Sequence, residues 1–401
     1  MTSAIPLQDV VPALLPLSGM AFHTDVSDTG AAVPWRAVPV SRGLAWGDEV
    51  ALLLRARAKL GPVFRRGERV ILLDPAFNRL LLDDEGVLFT GVEFTGAESS
   101  GALALDSVAL ERGLESELAR WREGVIRFQP TMAMALARAL VPAVTGLAPG
   151  SGAAERLANA LSTLDEGRSL LRRAMPRGLP SSPIGARQAL AQGLRAAGAD
   201  APGLVDSLQA SHALALRALG TLARHLADTP DWQDTLRAEV RSPHRPSMPN
   251  PATPNPAAPS PAAPTSAETA TQDAPRELVD MATREALRMM PGPVLVERRL
   301  MAPLAIGAHR LEAGTRVAIS PAATHADPAL WPDPQHFDPL RFARLRAAER
   351  APGAWIAADV LPRPVAPVVI AATRLGVAHL LGRFALASAG EGGKLLLRRA
   401  D

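Results

Sequence analysis

ELVDMATREALRMM at 277–290 leads into VLVERRL (294–300), LAIGAHRL (304–311), TRVAIS (315–320) and PAATHADPALWPDPQHFDPLRF (321–342). The first piece has apolar residues at helical intervals, and Glu285 and Arg288 within it are three apart, on one helix face. The next three are short β-branched and aliphatic runs bounded by turn residues, which predicts strands. The last is rich in proline, with its backbone donors thinned out, and predicts a meander rather than a regular element.

Downstream, VVIAATRLGVAHLLGRF predicts an apolar helix near 368–384, and GEGG at 390–393 the turn of a C-terminal hairpin. Upstream, residues 242–275 hold ten prolines among Ala, Ser, Thr and Asn, too little apolar surface to pack, and read as a disordered loop. Helical periodicity dominates from about Pro75 to Val240. Before it, GDEVALLLRARAKLG reads as a helix and PVFRRGERVILLD as a hairpin about Arg66, Gly67 and Glu68. Residues 1–45 show no sustained period. The expectation is an irregular 1–45 segment and one mainly α domain with a small β-sheet over 46–401, interrupted by the 242–275 loop.

The 401 residues are 47% hydrophobic and 21% charged, enough to bury a large core. The net charge of +3 gives little reason to expect nucleic acid, and the arginine pairs at 172–173 and 298–299 lie among acids with only 4% aromatic residues. No uncharged apolar run reaches membrane-spanning length and no leader pattern opens the chain, so a cytoplasmic protein without a membrane anchor is expected. Cysteine is absent, which removes disulfides, thiolate metal sites and thiol nucleophiles. The Ala, Arg, Pro and Gly bias with two lysines suggests a bacterial source.

Several stretches together resemble the cytochrome P-450 family: EALR at 285–288 is similar to its ExxR, and residues 307–342 to its strand pair and meander, ending on PLRF at 339–342, which is similar to its closing PxRF. LADTPDWQDTLRAEV at 226–240 is similar to the junction after its long central helix, and GPVFRRGERVILLDPAFNRLLL at 61–82 to its first sheet. The resemblance implies the cytochrome P-450 fold and a structural triad of Glu285, Arg288 and Arg341.

The departures from that pattern fall on the chemistry. The family's PFGxGxRxCxG loop, whose cysteine thiolate ligates haem iron, aligns with AADVLPRPVAP at 357–367. Val365 stands at the cysteine, Ala358, Asp359, Leu361 and Pro367 at the aromatic and the three glycines, and only Arg363 is retained. The oxygen-activating acid and alcohol of the central helix align with Ala213 and Leu214, which relay no protons. The propionate-holding WxxxR falls near Leu110 and Leu114. No Tyr exists, and no Met or His lies in the ligand loop to replace the thiolate.

Each remaining polar group has a plain reading beside a chemical one. His212 aligns with the distal side of the pocket and reads first as a hydrogen-bonded core or pocket residue; with Ser211 it is the catalytic candidate, as acid or base, and since adjacent helix positions point about 100° apart the two do not make a nucleophile and base pair. Arg298 and Arg363 match residues near haem propionates and would face an anion or pair internally. The His-x-Asp pairs at His325 and His336 match turn residues of the meander, so no metal site is expected. GEGGK lacks phosphate-loop spacing.

The resemblance with its departures implies a homologue without haem or another cofactor. The expected role is a non-catalytic auxiliary protein that stabilises a pathway enzyme such as a glycosyltransferase in bacterial natural-product biosynthesis, with an apolar small molecule as a further candidate ligand. The alternative is a haem-independent enzyme that reuses the pocket for cyclisation or dehydration.

Overall fold

The computed structural model describes residues 37–38, 46–82, 89–90, 103–166, 183–199, 201, 203–242, 277–290, 294–306, 309–344, 353–361, 364–390 and 393–400. Most of the 242–275 loop, Arg363 and most of residues 1–45 lie outside them.

The helical body is built around α4 (Phe128–Thr145), whose Met132, Leu136, Leu140 and Val141 are buried with alanines between them. Those small residues let its neighbours approach closely. A Cβ at Gly113 of α3 (Ser107–Ala119) would sit 2.9 Å from the Ala139 Cα, so α3 crosses α4 where only glycine fits. α4 stops at Gly146, whose φ of 70° allows its N–H to bond the Pro142 carbonyl. α5 (Gly152–Glu166) and α6 (Pro183–Ala196) add to the same core.

The 25-residue α7 (Leu204–Asp228) runs through the body and ends at Thr229, after which Pro230 opens α8 (Pro230–Arg241), as proline does at a helix start. α9 (Glu277–Met289) follows the proline-rich loop. The two loop ends meet: the Glu239 carboxylate of α8 accepts from the first-turn amides of Leu278 and Val279, each at 2.9 Å. α12 (Ala366–Arg383) packs on α7, and a Cβ at Gly376 would meet Leu219 at 2.9 Å.

A six-stranded sheet flanks the helices in the order β1 (Ala37–Val38), β2 (Val63–Arg66), β3 (Arg69–Leu72), β9 (Arg316–Ile319), β6 (Val296–Leu300), β4 (Phe89–Thr90). β2 and β3 form the hairpin about Gly67, whose φ is 63°. β3 pairs with β9 in parallel, and β1, inside the segment read as irregular, pairs in parallel with β2. One face is covered by α1 (Trp46–Leu60), where Val50, Leu53 and Ala56 meet Phe64, Ile71 and Ala318. The other buries Val70, Leu72, Val317 and Ile319 with Phe77, Leu80 and Leu81 of α2 (Pro75–Leu82).

A second sheet runs β10 (Phe384–Ser388), β11 (Lys394–Arg399), β5 (Gly124–Arg127), and its first two strands are the C-terminal hairpin. β7 (Leu304–Ile306) and β8 (His309–Leu311) form a separate pair. Two short helices complete the meander, α10 (Pro321–Ala326), capped by Ser320, and α11 (Arg341–Arg344).

Candidate functional site

The three charged residues marked out by the sequence meet in one buried cluster. Glu285 has no exposed surface. Its carboxylate takes a bidentate pair from Arg288, Nε to Oε2 and Nη2 to Oε1, both at 2.8 Å, and a third bond at 2.9 Å from Nε of Arg341. Two cations on one buried anion leave donors over, and backbone carbonyls of the meander absorb them. Arg288 reaches the carbonyls of His325 (2.7 Å) and Pro334 (2.8 Å), and Arg341 those of Pro332 (2.8 Å), Asp333 (3.2 Å) and His336 (3.0 Å). Asp333 has φ of 47°, a turn an aspartate tolerates, and the bond to its carbonyl holds it there. Because the prolines leave few internal donors, the meander is shaped by guanidinium N–H groups instead.

His325 shares this cluster. Burial, reinforced by the Arg288 charge, lowers its pKa to about 3. The ring is neutral, and its Nε2 accepts from the amide of Ile356 at 3.2 Å. This holds the start of the 353–361 segment against α10. Arg288 also lies over the Trp331 ring, 5.4 Å from its centroid. No member of the cluster has a free chemical task. Among the described residues, no three His, Asp or Glu side chains come together as metal ligands.

Val365 is the residue before α12 and is fully buried. It belongs to an apolar cluster with Ala218 of α7, Leu287 of α9, Met290 just after it, and Ala357, Leu361 and Val369, with Ala210, Leu214, Trp355, Ala366 and Ile370 packed against the cluster. Leu214 of the central helix and Val365 of the ligand loop thus belong to one apolar cluster. Ala213 is half-buried next to Leu214. Pro367 occupies the first turn of α12, where a missing N–H costs nothing, and it fixes the backbone as a helix start. Asp359 pairs with Arg79 of α2 at 3.7 Å, Ala358 is half-buried beside it, and Leu361 is buried in the cluster. The loop is held by these contacts.

His212 is not part of that cluster. Its ring is fully buried, and Nε2 lies 2.8 Å from the Ala133 carbonyl of α4, so Nε2 carries the proton and donates it. Ala210, Leu214 and Ala218 form one stripe of α7, and residue 212 is about 200° round the helix from both 210 and 214. The expectation of an imidazole facing the pocket is corrected here: it faces α4. Which side of a helix a histidine presents depends on the neighbour it can bond.

Ser211 lies about 60° from the Leu214 stripe, fully buried, and its Oγ has no hydrogen-bond partner among the described residues. It is not paired with His212. Arg298, buried on β6, gives an Nη1 bond of 2.5 Å to the Leu81 carbonyl at the end of α2, a favourable place for a cation. Arg363 lies outside the described residues. Leu110 and Leu114, aligned with the propionate-holding pair, sit on the buried face of α3 in the main helical core, a different cluster from that of Val365. That alignment therefore does not bring them to the ligand loop.

Residues 221–357, about a third of the chain, match the family model for cytochrome P-450. Among curated proteins, cytochrome P-450 4X1 of Mus musculus is 30% identical over 155 residues, 38% of this chain and 27% of that protein. The probable cytochrome P-450 4aa1 of Drosophila melanogaster is 35% identical over 97 residues, 24% of this chain and 19% of that protein. The chain thus aligns with about a quarter or less of these relatives' length. Among solved structures, CYP175A1 from Thermus thermophilus aligns with a TM-score of 0.60 at 18% identity, covering 91% of this chain and 99% of that one. The retinoic acid-bound cyanobacterial CYP120A1 aligns with 0.60 at 17%, covering 92% and 100%. The described chain has the cytochrome P-450 fold.

The haem that this fold implies does not fit the residues present. There is no cysteine anywhere in the chain, and the aligned ligand position is a valine closed into an aliphatic cluster. The matched segment contains the triad and the meander but ends at Ala357, where the ligand loop begins.

Proposed function

From a chain with the cytochrome P-450 fold, supported in that superfamily by its family-model match, we propose a haem-free homologue that works as a non-catalytic auxiliary protein. Its partner is a biosynthetic enzyme, such as a glycosyltransferase, in bacterial secondary metabolism, and its place is the cytoplasm. The observation that carries this reading is the apolar cluster that holds Val365 and Leu361 and has Leu214 packed against it: aliphatic side chains gather where the family needs a thiolate and a proton relay. The intact triad supports it too, because a partner-binding protein needs the fold and not the iron. Among the described residues, no helix is long and apolar enough to cross a membrane.

A second reading, a redox-neutral enzyme in the vacated pocket, has one observation in its favour, the unpartnered buried hydroxyl of Ser211. A buried hydroxyl without an acceptor costs about 1–3 kcal/mol, which a bound polar substrate group would offset. One set of experiments separates the two. The protein expressed with ample haem should show no Soret band, and co-expression should raise the soluble yield of the enzyme encoded beside it and allow co-purification. Ser211→Ala should leave that support unchanged. Turnover of a pathway intermediate by the isolated protein, abolished by Ser211→Ala, would replace the auxiliary reading with the enzymatic one.

A further inference from the structure

We infer that one end of the six-stranded sheet is a docking surface for an acidic protein segment, built on a row of arginines in cross-strand register. Arg66 of β2 pairs with Arg69 of β3, Arg69 with Arg316 of β9, and Arg316 with Arg299 of β6. Directly paired residues share a face, and neighbouring strands are about 4.8 Å apart, so four guanidinium groups from four strands lie in one line. The row is on the face covered by α1, two residues beyond Phe64, Ile71 and Ala318; the first turn of the helix covers its Arg66 end, and Arg316 and Arg299 are exposed.

Exposure rises along the row, and Arg316 in its middle carries the least neutralised charge. Arg66 is buried and paired with Glu49 of α1. Arg69 is 40% exposed and paired with Glu297. Arg316 is exposed, has an arginine in register on either side, and has no ion pair or side-chain hydrogen bond among the described residues. Arg299 is exposed, and its Nη1 donates to the Gly314 carbonyl at 3.1 Å.

Like charges directly opposite on a sheet are destabilising, and a β-branched polar residue would serve an exposed strand position better. The row therefore costs the isolated protein stability and suits something outside it. Planar guanidinium forks match carboxylates in bidentate fashion.

Protein carboxylates fit better than a nucleic-acid backbone. Glu297 and the exposed Glu68 of the β2–β3 turn stand among the arginines and would repel a continuous chain of phosphates, whereas separate carboxylates can sit between them. Among the described residues, the exposed large apolar side chains include no aromatic ring on which bases could stack. The whole chain carries only +3. The surface deepens the auxiliary-protein reading and rests on it for the identity of the partner.

The test has three readouts. A fluorescent hexaglutamate peptide should bind saturably, more weakly as salt rises. Arg316→Glu should weaken it about tenfold or more, while Arg398→Glu, an exposed arginine on β11 of the other sheet, should not. No saturable binding at low salt, equal loss in both variants, or tighter binding of an oligonucleotide of equal charge would overturn the inference. Arg316→Thr should raise the thermal midpoint, more at low salt than at high; a lowered midpoint would make the row a structural part and likewise overturn it. In co-expression, Arg316→Glu should lose the partner while staying folded. If wild type and Arg316→Glu support the enzyme equally, the surface is wrong and the auxiliary role stands. Should wild type give no support, the auxiliary role fails and the peptide titration alone decides the surface.

Discussion

Glu285 neutralises two buried guanidinium groups, so Glu285→Ala strands both, along with the carbonyl bonds they hold in the meander. Breaking a buried pair in this way costs about 3–5 kcal/mol, and urea unfolding should show a loss of that size. A change below about 1 kcal/mol would mean that water reaches the cluster. His325 gives the site a pH dependence whose sign follows from its low pKa of about 3 in the folded protein. Unfolded, the ring titrates near 6.5, so stability is complete above that pH and is lost progressively as pH falls towards 3, by about 2 kcal/mol at pH 5. His325→Gln keeps an acceptor for the Ile356 amide and removes the proton. The fall in stability between pH 7.5 and 5 should shrink by that amount, and an unchanged slope would exclude His325 as its source. The pairing of Glu285 with Arg288 was legible in the sequence because it is local, three residues on one helix. That His325 would be neutral and the meander carbonyls would be the acceptors was not, because those partners come from 37 to 46 residues away.

Helices and hairpins were legible from their periods, because those signals are local. Three features had no local signal: the parallel register of β3 with β9, the strand β1, and the Glu239 carboxylate holding the start of α9 across the proline-rich loop. Contacts between distant segments decide such features, and a pattern along the chain does not encode which segments meet. The Glu239 contact sharpens what deleting the loop should do. Since α8 and α9 are already held together at that carboxylate, a linker of about six Gly and Ser residues in place of 243–276 has little distance to span. Closure entropy changes by about 0.6 kcal/mol per doubling of length, so the deletion should stabilise the protein slightly or leave it unchanged. Glu239→Ala removes two charge-assisted bonds at a helix N-terminus and should cost about 1–3 kcal/mol in either background. Circular dichroism and urea midpoints for the four proteins check both, and an unfolded deletion variant would show that the loop is part of the core.

Across the molecule, what is kept and what has changed divide by task. The triad, the meander, the sheet and the long helices hold the fold, and the segment that matches the family model contains the first two. The positions that align with the family's chemistry, Ala213, Leu214, Asp359, Leu361, Val365 and Pro367, come from two distant parts of the chain, yet Leu361 and Val365 share one cluster with Leu214 packed against it. On the proposed reading the departure is a repacked cluster and not a single missing ligand, which predicts the result of placing a cysteine there. Val365→Cys puts a thiol among Leu287, Leu361 and Val369, where burial in apolar surroundings raises its pKa and keeps it protonated. Val to Cys also trades one buried aliphatic group for another small apolar one, so stability should change by no more than about 1.5 kcal/mol. The variant should therefore fold, react slowly with a thiol reagent until denatured, and show no Soret band even when expressed with ample haem. Stoichiometric haem in Val365→Cys would mean that Leu214 and Leu361 yield to the macrocycle, and the absence of a ligand would then come down to one residue. Loss of folding in Val365→Cys would contradict the packing of this cluster directly, because the new side chain is no larger than the one it replaces.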